Sequence, residues 1–180
     1  PARDGGERNA KQQQIAIAVQ GSAQTARHIN LSGGVEESDG FVNRARGDVA
    51  EGERLVLFSN PRGGSGYSEE WGRAIRGPGE GAGPGWGSVD YEDVMGVVDT
   101  ALERFPFLDA DRLGVLGGSY GGYLTSWIVG HTKRFKAALS ERSVNHLVSA
   151  FGSSDLFWIF ERQFGGPMWD HIDEWLQMSP

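Results

Sequence analysis

Leu113–Val129 reads LGVLGGSYGGYLTSWIV, an apolar run, then one serine at position 119 with glycines at 117, 118, 121 and 122, then a second apolar run. The first run has the length of a buried strand and the second the composition of a helix that starts near Tyr120. The serine therefore falls on a strand-to-helix turn, the context a nucleophile elbow requires. Glycines two before and two after it let strand and helix approach without Cβ clashes, while the strained turn aims the hydroxyl into solvent. The helix also points its free N–H groups and positive dipole end toward the charge that develops when a serine attacks a carbonyl. The plainer alternatives are an ordinary Gly-rich turn or a phosphate cradle. A phosphate loop needs G-x-x-x-x-G-K-[ST], no lysine follows here, and G-x-G-x-x-G does not fit the register.

Outward from the elbow, short apolar runs alternate with helical periods. RLVLFSN (54–60) reads as a buried strand ending in a loop, PRGGSGYSEEW as a loop entering a short helix, DRLGVLG (111–117) and FKAALS (135–140) as further strands. Tyr91, Val94, Met95, Val98, Ala101, Leu102 and Phe105 follow the spacing of one buried helix face, with Ser88 or Asp90 available as N-cap and Pro106 as the stop. Strand, helix, strand, helix, strand predicts a parallel sheet covered on both faces, with the loops 60–67 and 117–122 on the edge where ligands collect. RGPGEGAGPGWGS (76–88), with six glycines and two prolines, predicts a surface excursion. QIAIAVQ (14–20) alternates like a short strand, but 1–14 is polar and aperiodic and 21–54 carries little period of either kind. Phe41 is the sole aromatic residue before Leu55, and all six tryptophans lie at Trp71 or later, so the core is expected in the second part.

Composition narrows the class. The 180 residues carry a net charge of −7 with no basic run, which disfavours nucleic-acid and acidic-membrane partners. There is no cysteine, so disulfides and thiolate metal sites are excluded. No apolar run approaches the roughly 20 residues of a membrane span, and no signal-peptide pattern opens the chain. The expectation is a soluble, cytoplasmic protein, with association into a homo-oligomer left open.

LFSNPRGGSGYSEEWGRAIRG, DYEDVM, RLGVLGGSYGGYLTSWIVGHTKRFKAALSERSV and ERQFGG together resemble, over residues 55–180, the catalytic domain of prolyl oligopeptidase-family serine peptidases, in particular the acylaminoacyl-peptidase-like branch. The resemblance implies an α/β-hydrolase fold, a three-layer αβα arrangement with a mostly parallel sheet. It also implies a serine peptidase that acts on short peptides without metal or cofactor. Carried over by position, Ser119 is the nucleophile, and the oxyanion is held by the Tyr120 backbone N–H and the Tyr67 hydroxyl. A phenol donor about 3 Å from the developing charge suits that role, since losing one such donor costs roughly 10²–10³ in rate. Val144 and Leu147 resemble positions lining the family's pocket for the residue at the cleaved bond. Core packing accounts for them as well.

The α/β-hydrolase triad runs Ser, then Asp or Glu, then His along the chain, and the family's acid and histidine are expected beyond Pro180. His131, His146 and His171, and Asp155 and Asp170, fit surface or capping roles, so the chain by itself is expected to be inactive or nearly so. An esterase-like hydrolase and a non-catalytic α/β binding module are the alternatives. Residues 1–53 match poorly: the family's His-Gly-Gly-Pro turn upstream of the Asn-Pro-Arg-Gly loop is Ser32-Gly33-Gly34-Val35 here. The expected division is thus 1–53, a poorly matching segment, and 54–180, the N-terminal portion of a peptidase catalytic domain. The gating β-propeller of such peptidases has no counterpart in the sequence, and the sheet is expected to be incomplete at its edges.

Overall fold

The computed structural model describes residues 15–21, 44–45, 54–77 and 83–180. Phe41 and the Ser32–Val35 stretch lie outside the described residues, as does the middle of the Gly-rich segment, 78–82. The strands are β1 (Ile15–Gly21), β2 (Arg44–Ala45), β3 (Arg54–Ser59), β4 (Leu108–Gly118) and β5 (Ala137–Glu141). The helices are α1 (Glu69–Arg73), α2 (Val89–Arg104), α3 (Tyr120–His131), α4 (Leu147–Ser153), α5 (Phe157–Phe164) and α6 (Ile172–Gln177), with a 3₁₀ turn at Met168–Asp170.

The sheet order is β2-β3-β1-β4-β5. β4 and β5 pair in parallel, whereas β1 is antiparallel to both β3 and β4. The three strands read from the apolar runs at 54, 111 and 135 thus point the same way, as the alternation with helices requires. β1 lies between two of them in the opposite direction, so the sheet is mixed rather than wholly parallel. Alternation in QIAIAVQ marks a strand and carries no information on its direction.

Register places Leu57, Val115 and Ala138 in one row across the sheet through Ile17. Leu57, Leu113 and Val115 face a core built with Val94, Val98 and Ala101 of α2 and Tyr123, Leu124 and Ile128 of α3. Val97, off the expected face list, is buried too. Each fully buried aliphatic side chain here contributes roughly 1.5–3 kcal/mol of transfer free energy. The neighbouring row, Phe58, Leu116 and Leu139, turns to the other face, where Leu139 is 59% exposed. Full cover on both faces is therefore not reached among the described residues, and every side chain of β5 is exposed.

A second apolar cluster joins Leu147 of α4 to Phe160 and Phe164 of α5 and to Trp175 and Met178 at α6. Trp86 packs against both clusters. Its ring meets Tyr120, Tyr123 and Phe164 edge-on at centroid distances of 4.8, 4.9 and 5.2 Å, within the range aromatic pairs prefer. The described ends of the Gly-rich segment, 76–77 and 83–88, are therefore built into the fold, while the middle of the expected surface excursion lies outside the described residues. Composition showed the absence of regular structure, but not the anchoring ring. The Tyr123 hydroxyl donates to the Met178 carbonyl at 2.7 Å, tying α3 to the C-terminal helices.

Candidate active site

β4 runs straight into the turn, and Ser119 stands between it and α3 at φ 59°, ψ −117°. Among the described non-glycine residues only Ser119 and Arg142 have positive φ, a conformation that costs roughly 1–3 kcal/mol and persists only where the surroundings over-determine it. They do. The Ser119 N–H donates to the Glu141 carbonyl at the end of β5 at 3.0 Å, and its own carbonyl accepts from the Tyr123 N–H at 3.0 Å. A Cβ at Gly117 would lie 2.3 Å from the Gly121 carbonyl oxygen, and one at Gly122 would lie 2.5 Å from that of Glu141. Strand and helix are closer than any side chain permits. The elbow predicted from LGVLGGSYGGYLTSWIV is present in its full strand, turn and helix form, with the Ser119 side chain exposed.

Tyr120 is the first residue of α3, so its N–H has no partner within the helix. Its side chain is anchored: the hydroxyl donates to Asp90 Oδ2 in the first turn of α2. Asp90 is 0% exposed and also accepts from the Gly87 N–H at 3.1 Å, while its Oδ1 has no partner among the described residues. Burial raises the Asp90 carboxyl above the ordinary aspartate range, against the opposing pull of the hydrogen bonds from Tyr120 and Gly87. Burial, and then the Asp90 charge, push the Tyr120 phenol well up, so it stays a proton donor.

Tyr67 lies on the loop between β3 and α1, exposed, with its ring 5.0 Å from that of Trp71. The loop is closed by its own bonds. The Gly63 N–H donates to the Trp71 carbonyl at 2.8 Å, the Trp71 indole N–H to the Pro61 carbonyl at 3.1 Å, and the Asn60 amide to the Ser65 carbonyl at 2.9 Å. Ser68 caps α1 by accepting from the Trp71 N–H at 3.0 Å. Arg62 fixes this loop to α2. Its guanidinium meets Asp93 through Nη2–Oδ1 at 2.6 Å and Nε–Oδ2 at 2.9 Å, and its backbone N–H reaches the same carboxylate at 2.8 Å. Asp93 is 4% exposed, and its hydrogen bond and charge raise the Arg62 guanidinium further still.

Val144 is half-buried beside the second cluster. Leu147 is 0% exposed within it, so it presents no surface to a substrate and core packing accounts for it. Each described histidine has a partner other than the serine. His131 Nδ1 lies 2.8 Å from the Trp127 carbonyl, His146 Nδ1 accepts from the Ser149 N–H at 3.1 Å as the cap of α4, and His171 faces Glu174 at 3.9 Å. Among the described residues no group of three or more His, Cys, Asp or Glu side chains could hold a metal, and no helix is long and apolar enough to cross a membrane. Sequence alone marks Asp90 only as an alternative N-cap, a place that Ser88 takes in the structure, and marks neither Asp93 nor Arg62. The available signal was acids at 90 and 93, on the helical face that also carries the buried Val94 and Val97.

Residues 49–180 match the prolyl oligopeptidase family. The chain is 44% identical over 126 residues to "Uncharacterized peptidase YuxL" of Bacillus subtilis, covering 69% of this chain and 18% of that protein. It is 29% identical over 123 residues to "Dipeptidyl-peptidase 5" of Porphyromonas gingivalis, covering 68% and 17%. Among solved structures, the uncomplexed acylaminoacyl peptidase of Pyrococcus horikoshii superposes with a TM-score of 0.62 at 28% identity, covering 72% of this chain and 20% of that one. The chain thus spans about a fifth of the length of these relatives, and the shared fold is that of an α/β-hydrolase.

Proposed function

Because the chain belongs to the prolyl oligopeptidase family, we propose that it carries the nucleophile and oxyanion side of a serine peptidase acting on short peptides. The single observation that supports this most is the backbone of Ser119, held at φ 59° over the start of α3. In this reading Ser119 Oγ attacks the peptide carbonyl carbon and loses its proton to a general base. The oxyanion so formed accepts from the Tyr120 N–H and the Tyr67 hydroxyl. Collapse expels the amine, which takes up that proton. Water then hydrolyses the ester of Ser119 and frees the acid. Val144 would border the pocket of the residue whose carbonyl is attacked.

Among the described residues no histidine is hydrogen-bonded to Ser119, and each has another partner. We therefore read 54–180 as the first portion of a hydrolase domain whose acid and histidine come from elsewhere, and the chain by itself as nearly inactive. The test pairs this chain with the complete enzyme. A fluorophosphonate should label Ser119 of the complete enzyme rapidly and this chain at least ~10³-fold more slowly, the scale on which triad members contribute. Equal labelling of both would overturn the need for an outside base. Failure of the complete enzyme to be labelled, or to be silenced by Ser119→Ala, would overturn the peptidase reading. Turnover of short acyl esters but not of peptides would favour an esterase.

A further inference from the structure

The two buried acids of α2 stand three residues apart on one helical face, and each reaches a different side of the site. Asp93 holds Arg62 of the loop between β3 and α1 by a two-pronged ion pair and by the Arg62 amide, while Asp90 accepts the Tyr120 hydroxyl at the elbow. Their exposures are 4% and 0%. We propose that Asp90 and Asp93 are positioning residues that set the separation of the two oxyanion donors, an inference that rests on the assignment of Ser119, Tyr120 and Tyr67 above.

The mechanical path is short on both sides. Arg62 precedes Tyr67 by five residues in a loop cross-braced by the Gly63–Trp71 and Trp71–Pro61 hydrogen bonds, and Tyr67 leans on Trp71. Fixing Arg62 to α2 thus fixes the frame on which Tyr67 stands. On the other side the Tyr120 ring is held at its hydroxyl by Asp90 and on its edge by Trp86, 4.8 Å away. A first helical residue clamped through its side chain cannot rotate its peptide plane freely, and it is the N–H of that plane that would meet the oxyanion. The sheet fixes where the loop after β3 and the turn after β4 begin, and one rigid turn of helix bridges the two beyond the strand ends. Adhesion alone does not call for this choice: apolar side chains of similar size pack a helix at less desolvation cost than buried carboxylates do. Two directional anchors at i and i+3 specify distance, which apolar contact does not.

The experiment compares wild type, Asp93→Asn, Tyr120→Phe, Asp90→Ala and Asp90→Asn in the complete enzyme on a chromogenic acyl-dipeptide, with fluorophosphonate labelling of wild-type Ser119 as the control. Displacing a donor by a fraction of an ångström should cost roughly ten- to a hundredfold in kcat while KM stays within about threefold, because only the transition state carries the oxyanion. Tyr120→Phe keeps the backbone N–H and the ring, so its loss of kcat would come from the missing anchor. Affinity for a peptide aldehyde, whose hemiacetal oxygen occupies the oxyanion position, should fall by the same factor as kcat/KM. Asp90→Asn, which still accepts from Tyr120 and Gly87, should recover much of the kcat that Asp90→Ala loses. The proposal is overturned if Tyr120→Phe and Asp93→Asn leave kcat within twofold, if the change falls on KM alone, or if aldehyde affinity does not follow kcat/KM. Absence of labelling of wild-type Ser119 would instead strike the underlying assignment and take the proposal with it.

Discussion

Arg62 and Asp93 meet through Nη2–Oδ1 at 2.6 Å and Nε–Oδ2 at 2.9 Å, with the Arg62 amide bonded to the same carboxylate at 2.8 Å. The acid is almost wholly buried and the guanidinium a third exposed. Only one partner has therefore been fully taken from water. Removing the acid strands a cation that solvent can still reach, and removing the cation strands a carboxylate that solvent cannot reach. Arg62→Met should accordingly destabilise more than Asp93→Ala, with losses of about 2–4 and about 1–3 kcal/mol. Urea unfolding of the two variants and the double variant measures both values and their coupling, and equal small losses would show the pair to be dispensable.

The strain at Ser119 is open to measurement because glycine relieves it and alanine does not. Ser119→Gly should be more stable than Ser119→Ala by about 0.5–2 kcal/mol, the relief of a disfavoured φ less the entropy glycine restores to the unfolded chain. Both variants should fail to react with a fluorophosphonate. Equal stabilities would show that the turn is not strained in solution.

Glycines near the elbow and glycines on the helices should respond in opposite directions. Gly117→Ala would drive a methyl against the Gly121 backbone, where nothing flexible can yield, and should cost at least about 3 kcal/mol. Gly96→Ala in α2 meets nothing within 4 Å and should gain roughly 0.5–1 kcal/mol from helix propensity. Thermal denaturation of both variants against the parent tests the contrast.

Asp90 should show in the pH dependence of stability with a sign opposite to that of an ordinary paired carboxylate. Its folded pKa is raised from 3.8 by burial, so between that value and the raised one the native state holds a proton that the unfolded state has released. Its contribution is complete below the unfolded value and declines as pH rises through the folded value. Asp90→Asn removes this decline, so the difference in stability between Asp90→Asn and wild type should grow in favour of the variant as pH rises from about 3 to 7. Urea titrations at several pH values provide the test, and a flat difference would mean that burial does not govern this group.

The strand, turn and helix around Ser119 were legible because each obeys a local rule: apolar runs of strand length, glycine where Cβ cannot fit, and a stop at Pro106. The shortcomings share a physical cause. Trp86 sits in a glycine-rich segment that carries no period, and its importance arises only when α3 and α5 arrive around it. Asp90 reads as a possible N-cap and Asp93 carries no signal of its own, because the partners that define them, Tyr120 and Arg62, arrive from 30 and 31 positions away. Leu147 has the same sequence environment whether it lines a pocket or fills a core, and only its neighbours Phe160 and Trp175 distinguish the two. The direction of β1 likewise depends on its partners, since a period of two is the same read forwards or backwards.

The hydrogen bond from the Ser119 amide to the Glu141 carbonyl makes the last residue of β5 a strut under the serine. Among the described residues β5 pairs with β4 alone, and its side chains are bare to solvent. The stiffness of the turn at Ser119 is thus set in part from outside it. Any strand laid along the free edge of β5 would damp the motion of that strut and sharpen the aim of the hydroxyl, and an unaccompanied β5 would let it waver.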